Sequence, residues 1–205
     1  MGIVLEEREA PLIKRVIHTT ADFDYARSLT LTGDALENGL AALRAGSPIV
    51  TDTNMARAGI NRAALEKLGC QVYCFMADSD VAQSARQQAG TRAAASMRKA
   101  AALYPDAVYA IGNAPTALLE LERLMREDPG FRPSLVIGAP VGFVNVVESK
   151  ELLLSSGAPA IVARGRKGGS NVAAALCNAL LYMATDTLDP RSRCAPGDRK
   201  QEGQE

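Results

Sequence analysis

Short apolar runs alternate with longer segments of helical period over most of the chain, the pattern of a mainly parallel sheet covered by helices. The strand candidates are Val16-Ile17, Ile49-Val50-Thr51, Val72-Tyr73-Cys74-Phe75, Val108-Tyr109-Ala110-Ile111, Leu135-Val136-Ile137 and Ala160-Ile161-Val162. Helical period is found over residues 33–45, 61–68, 80–88, 91–103, 115–127 and 170–183, with Asp80 and Ser170 as N-cap candidates and Pro115 suited to a first turn. The expected architecture is a three-layer α/β/α domain on a mainly parallel, Rossmann-like sheet. Each strand candidate ends in polar or glycine-rich residues. In open α/β sheets the carboxyl ends of the strands form the ligand crevice, so function is expected to collect there.

Periodicity fades near residue 186, where Pro190, Pro196 and Gly197 lead into a polar terminus. Residues 1–185 are therefore expected to form a single domain and 186–205 a flexible tail. The chain has 205 residues, 47% hydrophobic, which is ample for one core. Its 23 basic side chains are balanced by 23 acidic ones, which argues against a general nucleic-acid or membrane-surface binder. With no Trp and only four Phe, it also lacks a base-stacking surface. No apolar run reaches membrane-spanning length and no signal peptide is evident, so a cytoplasmic protein is expected. Cys70, Cys74, Cys177 and Cys194 are scattered and read as buried thiols in a reducing compartment. One histidine and no second matched cysteine pair leave a metal ligand set incomplete, and no metal site is expected.

The strand-following segments carry the candidate chemistry. Gly165-Arg166-Lys167-Gly168-Gly169-Ser170-Asn171 lies between a strand and an alanine-rich helix. Glycines permit close backbone approach, a helix start offers unpaired N–H groups, and Arg166 and Lys167 add positive charge, so the segment reads as an oxyanion cradle. It matches neither a Walker loop nor a dinucleotide fingerprint, and a plain turn with a basic flank stays open. Asn113 and Thr116, in Gly112-Asn113-Ala114-Pro115-Thr116, offer neutral hydrogen-bonding groups at a second strand end, with helix capping as the alternative. The apolar middle of residues 137–150 could wall a large flat ligand, while Glu148 and Lys150 read as a surface pair of little weight. Asp52 is a candidate base or orienter, with ordinary helix capping as the alternative for Asp followed by Thr and Asn. Of Arg86, Arg92 and Arg98, spaced so that they do not share one helical face, Arg92 beside Thr91 is the one chosen for the crevice.

The chain contains one histidine, His18, at the end of the expected strand Arg15-Val16-Ile17. Imidazole is the side chain that gains and loses a proton near neutrality, so any histidine-dependent proton transfer uses this residue. Neutral donors, guanidinium groups, backbone amides and apolar walls then suit a large, multiply carboxylated ligand that rearranges without a protein nucleophile.

At these residues the sequence resembles the precorrin-8X methylmutase family, the precorrin isomerases of corrin-ring synthesis. The resemblance runs in order through Arg15-Val16-Ile17-His18-Thr19-Thr20-Ala21-Asp22-Phe23-Asp24-Tyr25, Thr51-Asp52-Thr53-Asn54-Met55 with Gly59-Ile60, Gly90-Thr91-Arg92, Gly112-Asn113-Ala114-Pro115-Thr116-Ala117, Pro140-Val141-Gly142-Phe143-Val144 with Glu148-Ser149-Lys150, and Gly165-Arg166-Lys167-Gly168-Gly169-Ser170. Nearly the whole chain except the tail is covered. The form of the first string is closer to the cobalt-precorrin-8 branch than to the metal-free one.

The resemblance implies an intramolecular methyl migration between adjacent ring-C carbons of precorrin-8X or cobalt-precorrin-8, giving the hydrogenobyrinate or cobyrinate skeleton of cobalamin synthesis. It implies His18 as the catalytic residue, protonating or hydrogen-bonding the ring-C nitrogen to ease a sigmatropic shift. It also points to Arg15 and Arg92 as substrate-side residues, where guanidinium forks suit the macrocycle's carboxylates, and its glycine loop matches the cradle at Gly168, Gly169 and Ser170; Thr91, Asn113 and Thr116 complete the expected substrate-binding set. No dissociable cofactor is implied, any cobalt being carried by the substrate. Family members are implied to be homodimers, with the macrocycle as partner and neither nucleic acid nor membrane. One departure concerns the longer amino-terminal segment of relatives, which supplies a helix and a substrate-contacting hydroxyl. Met1 to Lys14 offer no counterpart for that hydroxyl. The other function classes considered are a corrinoid-binding or handover protein without turnover, and a dinucleotide-dependent enzyme. The second lacks a glycine fingerprint after the first expected strand.

Overall fold

The computed structural model describes residues 3–186. The chain opens with helix α1 (Ala10–Thr20) and a single turn α2 (Tyr25–Ser28), then strand β1 (Leu29–Leu31), α3 (Ala35–Arg44) and β2 (Ile49–Thr51). Two short helices, α4 (Asn54–Gly59) and α5 (Arg62–Leu68), lead to β3 (Val72–Tyr73). Next come α6 (Ser79–Gln87), α7 (Arg92–Leu103), β4 (Val108–Ile111), α8 (Pro115–Glu127) and β5 (Leu135–Gly138). The described chain closes with α9 (Val146–Ser155), β6 (Ala160–Ala163) and α10 (Ser170–Ala184).

The strands form one six-stranded sheet in the order β1-β6-β5-β4-β2-β3. Every neighbouring pair is parallel except β1 with β6, which run antiparallel with Leu29 opposite Ala163. Successive residues of the central strands serve opposite faces, as the two-residue period of a strand requires. Val108, Ala110, Leu135, Ile137, Ile161 and Ala163 join the core under α1, α3 and α10. Tyr109, Ile111, Val136, Ala160 and Val162 join the core under α7, α8 and α9. Both faces are covered, and the expected three layers are present.

The start of the chain differs from expectation. Val16 and Ile17 belong to helix α1, not to a strand. Pro11 sits in the first helical turn, where its fixed φ costs nothing, and Leu12, Ile13 and Val16 recur on one helical face. That face packs against α10, and each of the three side chains, at most 4% exposed, contributes about 1.5–3 kcal/mol by burial. A two-residue β-branched run does not report its own period, which is why it reads as a strand in isolation. The sixth strand is β1, too short to stand out.

Two capping assignments also shift. The N-cap of α6 is Asp78 rather than Asp80, and Gly169 rather than Ser170 precedes α10. The expected tail, apart from Asp186, lies outside the described residues.

Candidate active site

β2, β4, β5 and β6 are parallel, so their carboxyl ends emerge along one edge of the sheet. The winding reverses between β2 and β4, because β3 lies outside β2 while β4, β5 and β6 extend the other way. Such a switch point leaves a crevice in which backbone N–H groups face a ligand. Here an internal carboxylate fills it. Asp52, directly after β2 and 1% exposed, accepts hydrogen bonds from the N–H groups of Gly112, Asn113 and Ala114, each at 2.8 Å. Burial pushes its carboxyl above the usual carboxylate range and the three N–H donors pull the other way. Asp52 is thereby the orienter of the loop that carries Asn113, and it lies too deep to be a base for a bound ligand.

Three strand-end loops are pressed together by glycines. A Cβ on Gly112 would meet Ser170 Cα at 2.7 Å, and one on Gly168 would meet the carbonyl oxygen of Ala139 at 2.2 Å. No side chain fits at either place. Gly169, at φ +134°, donates its N–H to Ala139 O at 2.8 Å and begins α10. Hydroxyls complete the seam: Thr53 Oγ1 and Ser170 Oγ lie 2.8 Å apart. Thr53 also caps α4 by accepting from the N–H of Ala56. Further along, Thr91 caps α7 and donates to Thr116 Oγ1 at 2.9 Å, joining the starts of α7 and α8. Arg92, the next residue, is exposed, as are Asn113 and Arg166.

The loop between β6 and α10, residues 164–169, is held from inside by Lys150. This residue is fully buried on α9, and its ammonium donates to the carbonyls of Gly165 and Lys167 at 2.8 Å each. Burial lowers its pKa to about 8. The expected surface pair with Glu148 is therefore corrected: Val146, Ser149, Lys150 and Leu153 share the buried face of a helix, which turns Lys150 inward. Lys167 is corrected too. Its ammonium meets Asp22 Oδ2 and Asp24 Oδ2 at 2.6 Å, so its charge is already matched by two carboxylates of the segment following His18.

His18 stands in the last turn of α1, exposed. The helix ends at Ala21, in the left-handed region at φ 55°, with its N–H on Ile17 O. Arg15 goes elsewhere within this chain. It is 6% exposed, with its guanidinium carbon 5.3 Å from the ring centroid of Tyr182 in the last turns of α10. Around the strand ends stand large apolar side chains in water: Phe23 after α1, Met55 in α4, and Val141, Phe143 and Val144 between β5 and α9. Phe143 is 87% exposed and Val144 77%. Scattered exposed apolar residues are ordinary, but several gathered along one functional edge mark a place that a ligand or partner covers.

A family model described as precorrin-8X methylmutase matches residues 3–183. The chain belongs to the precorrin-8X methylmutase family. The cobalt-precorrin-8 methylmutase of Salmonella typhimurium is 48% identical over 172 residues, covering 83% of this chain and 80% of that protein. The cobalt-precorrin-8 methylmutase of Leptospira interrogans is 42% identical over 187 residues, covering 87% and 84%. The solved precorrin-8X methylmutase of Thermus thermophilus superposes with a TM-score of 0.82 at 39% identity, covering 90% of this chain and 91% of that one.

In this methylmutase fold, Gly169 and Ser170 lie against Gly112, the residue before Asn113, and Thr91, the residue before Arg92, bonds Thr116. His18 lies four residues before Asp22, which Lys167 grips, and Arg15 packs against Tyr182 near the other end of α10. Sequence reasoning missed Lys150 and the pairing of Lys167 with Asp22 and Asp24. Helical period at Val146, Ser149, Lys150 and Leu153 would have revealed the first, whereas no spacing signal reveals the second.

Proposed function

We propose that this chain moves a methyl group between adjacent ring-C carbons of cobalt-precorrin-8 or precorrin-8X, as an isomerase of cobalamin synthesis, with His18 as the proton donor. The observation that carries the reading is the exposed apolar edge formed by Phe23, Met55, Phe143 and Val144, set beside a seam of hydroxyl and amide groups. A broad conjugated ring rests on such an edge, and its carboxylate arms meet the exposed Arg92 and Arg166 and the donors of Asn113, Thr116 and Ser170. His18 is open to solvent at the helix end, and the segment that follows it is tied by Asp22 to Lys167, the residue before Gly168, which supports an imidazole that reaches a bound macrocycle.

The chemistry asks little else of the protein. A methyl shift within one conjugated ring is redox-neutral, so a hydrogen bond or proton to the ring-C nitrogen, given in a site that excludes water, lowers the barrier by drawing electron density from the migrating centre. No dissociable cofactor takes part, and cobalt, where present, belongs to the substrate. A second copy of the chain supplies the opposite wall for a flat ring whose own platform is this open, which makes the working form a homodimer with the site completed across the interface. Among the described residues no helix is long and apolar enough to cross a membrane. Free, buried Cys70, Cys74 and Cys177 fit a reducing cytoplasm.

The test is an absorption assay of the full chain with the metal-free and the cobalt-bearing macrocycle supplied separately. Conversion of one or both to the rearranged corrin supports the reading. Tight product binding with no conversion of either substrate would instead favour a handover protein.

A further inference from the structure

The two lysines of the strand-end region have no assigned part in the reaction, and neither is free to bind a ligand carboxylate. Lys150 spends its protons inside the protein, on Gly165 O and Lys167 O. Lys167 lies on the outer side of the same loop, 51% exposed, yet its ammonium is shared by two carboxylates. Asp22 and Asp24 stand 145 and 143 residues away in sequence, so this contact ties the start of the segment after α1 to the loop before α10, as the N–H of Arg164 on Ser28 O does further along.

Local hydrogen bonds tie that segment together from His18 to Asp24. Thr19 Oγ1 donates to Arg15 O, Thr20 Oγ1 donates to Val16 O, and both bonds close the last turn of α1 around His18. The N–H of Asp22 then donates to Thr20 Oγ1, and the N–H of Asp24 donates to Asp22 Oδ1. Tyr25, 3% exposed, anchors the far end. A run tied in this way transmits position: where Asp22 and Asp24 are held, His18 and Phe23 are held with them. The Lys167 ammonium also keeps the Asp22 carboxyl below its ordinary range.

We propose that Lys167 is a positioning residue, a clamp that docks the His18 segment onto the glycine loop through Asp22 and Asp24, with Lys150 fixing the loop from beneath. Exposed single ion pairs contribute little to stability, so the clamp acts on geometry rather than on folding. Misplacing a reacting group by an ångström costs up to about 100-fold in rate. The idea rests on His18 as the proton donor, but its structural half can be read without activity.

The experiment compares the untagged full chain with K167M, K167R, the double variant D22N/D24N and the triple variant. Amide hydrogen exchange over residues 19–25 and the imidazole resonance of the sole histidine report the clamp, and kcat and KM for the macrocycle report its consequence. Expected are faster exchange and a shifted imidazole signal in K167M and D22N/D24N, with kcat down about tenfold and KM within about twofold. The triple variant should be no worse than either parent, since all remove one interaction, and K167R should retain most of the activity. A rise in KM at unchanged kcat in K167M, with D22N/D24N unaffected, would make Lys167 a substrate ligand and overturn the proposal. Unchanged exchange and imidazole signal would overturn it as well. If the wild-type chain converts neither macrocycle, the functional reading fails, while exchange and resonance still decide the clamp.

Discussion

The backbone of Gly112 lies directly on that of Ser170. A Cβ at position 112 would stand 2.7 Å from Ser170 Cα and 2.9 Å from its nitrogen, backbone atoms that cannot swing aside. Gly112→Ala must therefore push the start of α10 away from the end of β4. We expect a loss of about 1–3 kcal/mol in chemical denaturation, in the range of overpacked sites, together with at least a tenfold fall in kcat/KM. A variant with wild-type stability would show that the seam between the loops is slack.

Asp52 gives a second test. Asp52→Asn keeps the shape but replaces one acceptor oxygen with an NH2 group facing N–H donors that lose their partner. Depending on which oxygen is replaced, the N–H of Gly112 or those of Asn113 and Ala114 lose their acceptor while the amide oxygen keeps the rest, at an expected cost of about 2–4 kcal/mol. The loss should appear in urea denaturation as a lower midpoint at unchanged slope.

For Lys150 the pH dependence has a definite sign. Its folded pKa, lowered to about 8, lies below the unfolded value, so between the two the unfolded chain binds more protons and stability rises with pH. The neutral amine still has N–H groups for both carbonyls. Relative to Lys150→Met, the wild-type chain should thus gain up to about 3 kcal/mol in unfolding free energy from pH 7.5 to 10.5. A flat difference over that window would contradict the buried, singly charged ammonium described here.

The apolar edge is tested by Phe143→Ser. At 87% exposure the side chain contributes little to folding, so stability should change by less than about 0.5 kcal/mol. If the ring lies on the macrocycle, KM should rise about tenfold, the equivalent of leaving one large apolar side chain uncovered. An unchanged KM would move the substrate off this edge.

Much of this was legible in the sequence, and the exceptions share a cause. Val108-Tyr109-Ala110-Ile111 and Leu135-Val136-Ile137 are bounded apolar runs, and burial on both faces leaves such runs no other comfortable structure. The glycine segments were legible because close approach demands them. Val16 and Ile17 misled because a β-branched pair is as good on a helix facing a core as in a strand, and only the wider period through Leu12 and Ile13 decides. Lys150 misled because charge suggests surface, although its neighbours at helical spacing are buried. The pairing of Asp22 with Lys167 could not be read at all, since it depends on α1 lying on α10 and not on any local pattern.

The central claim is that the single imidazole of this chain drives the methyl shift, and His18→Ala tests it most directly. The exposed side chain makes a folded variant the expectation. With either macrocycle supplied as substrate and followed by absorption, the variant should still bind the rearranged corrin, with methyl migration slowed by about 10²–10⁴-fold. Migration at the wild-type rate would contradict the account.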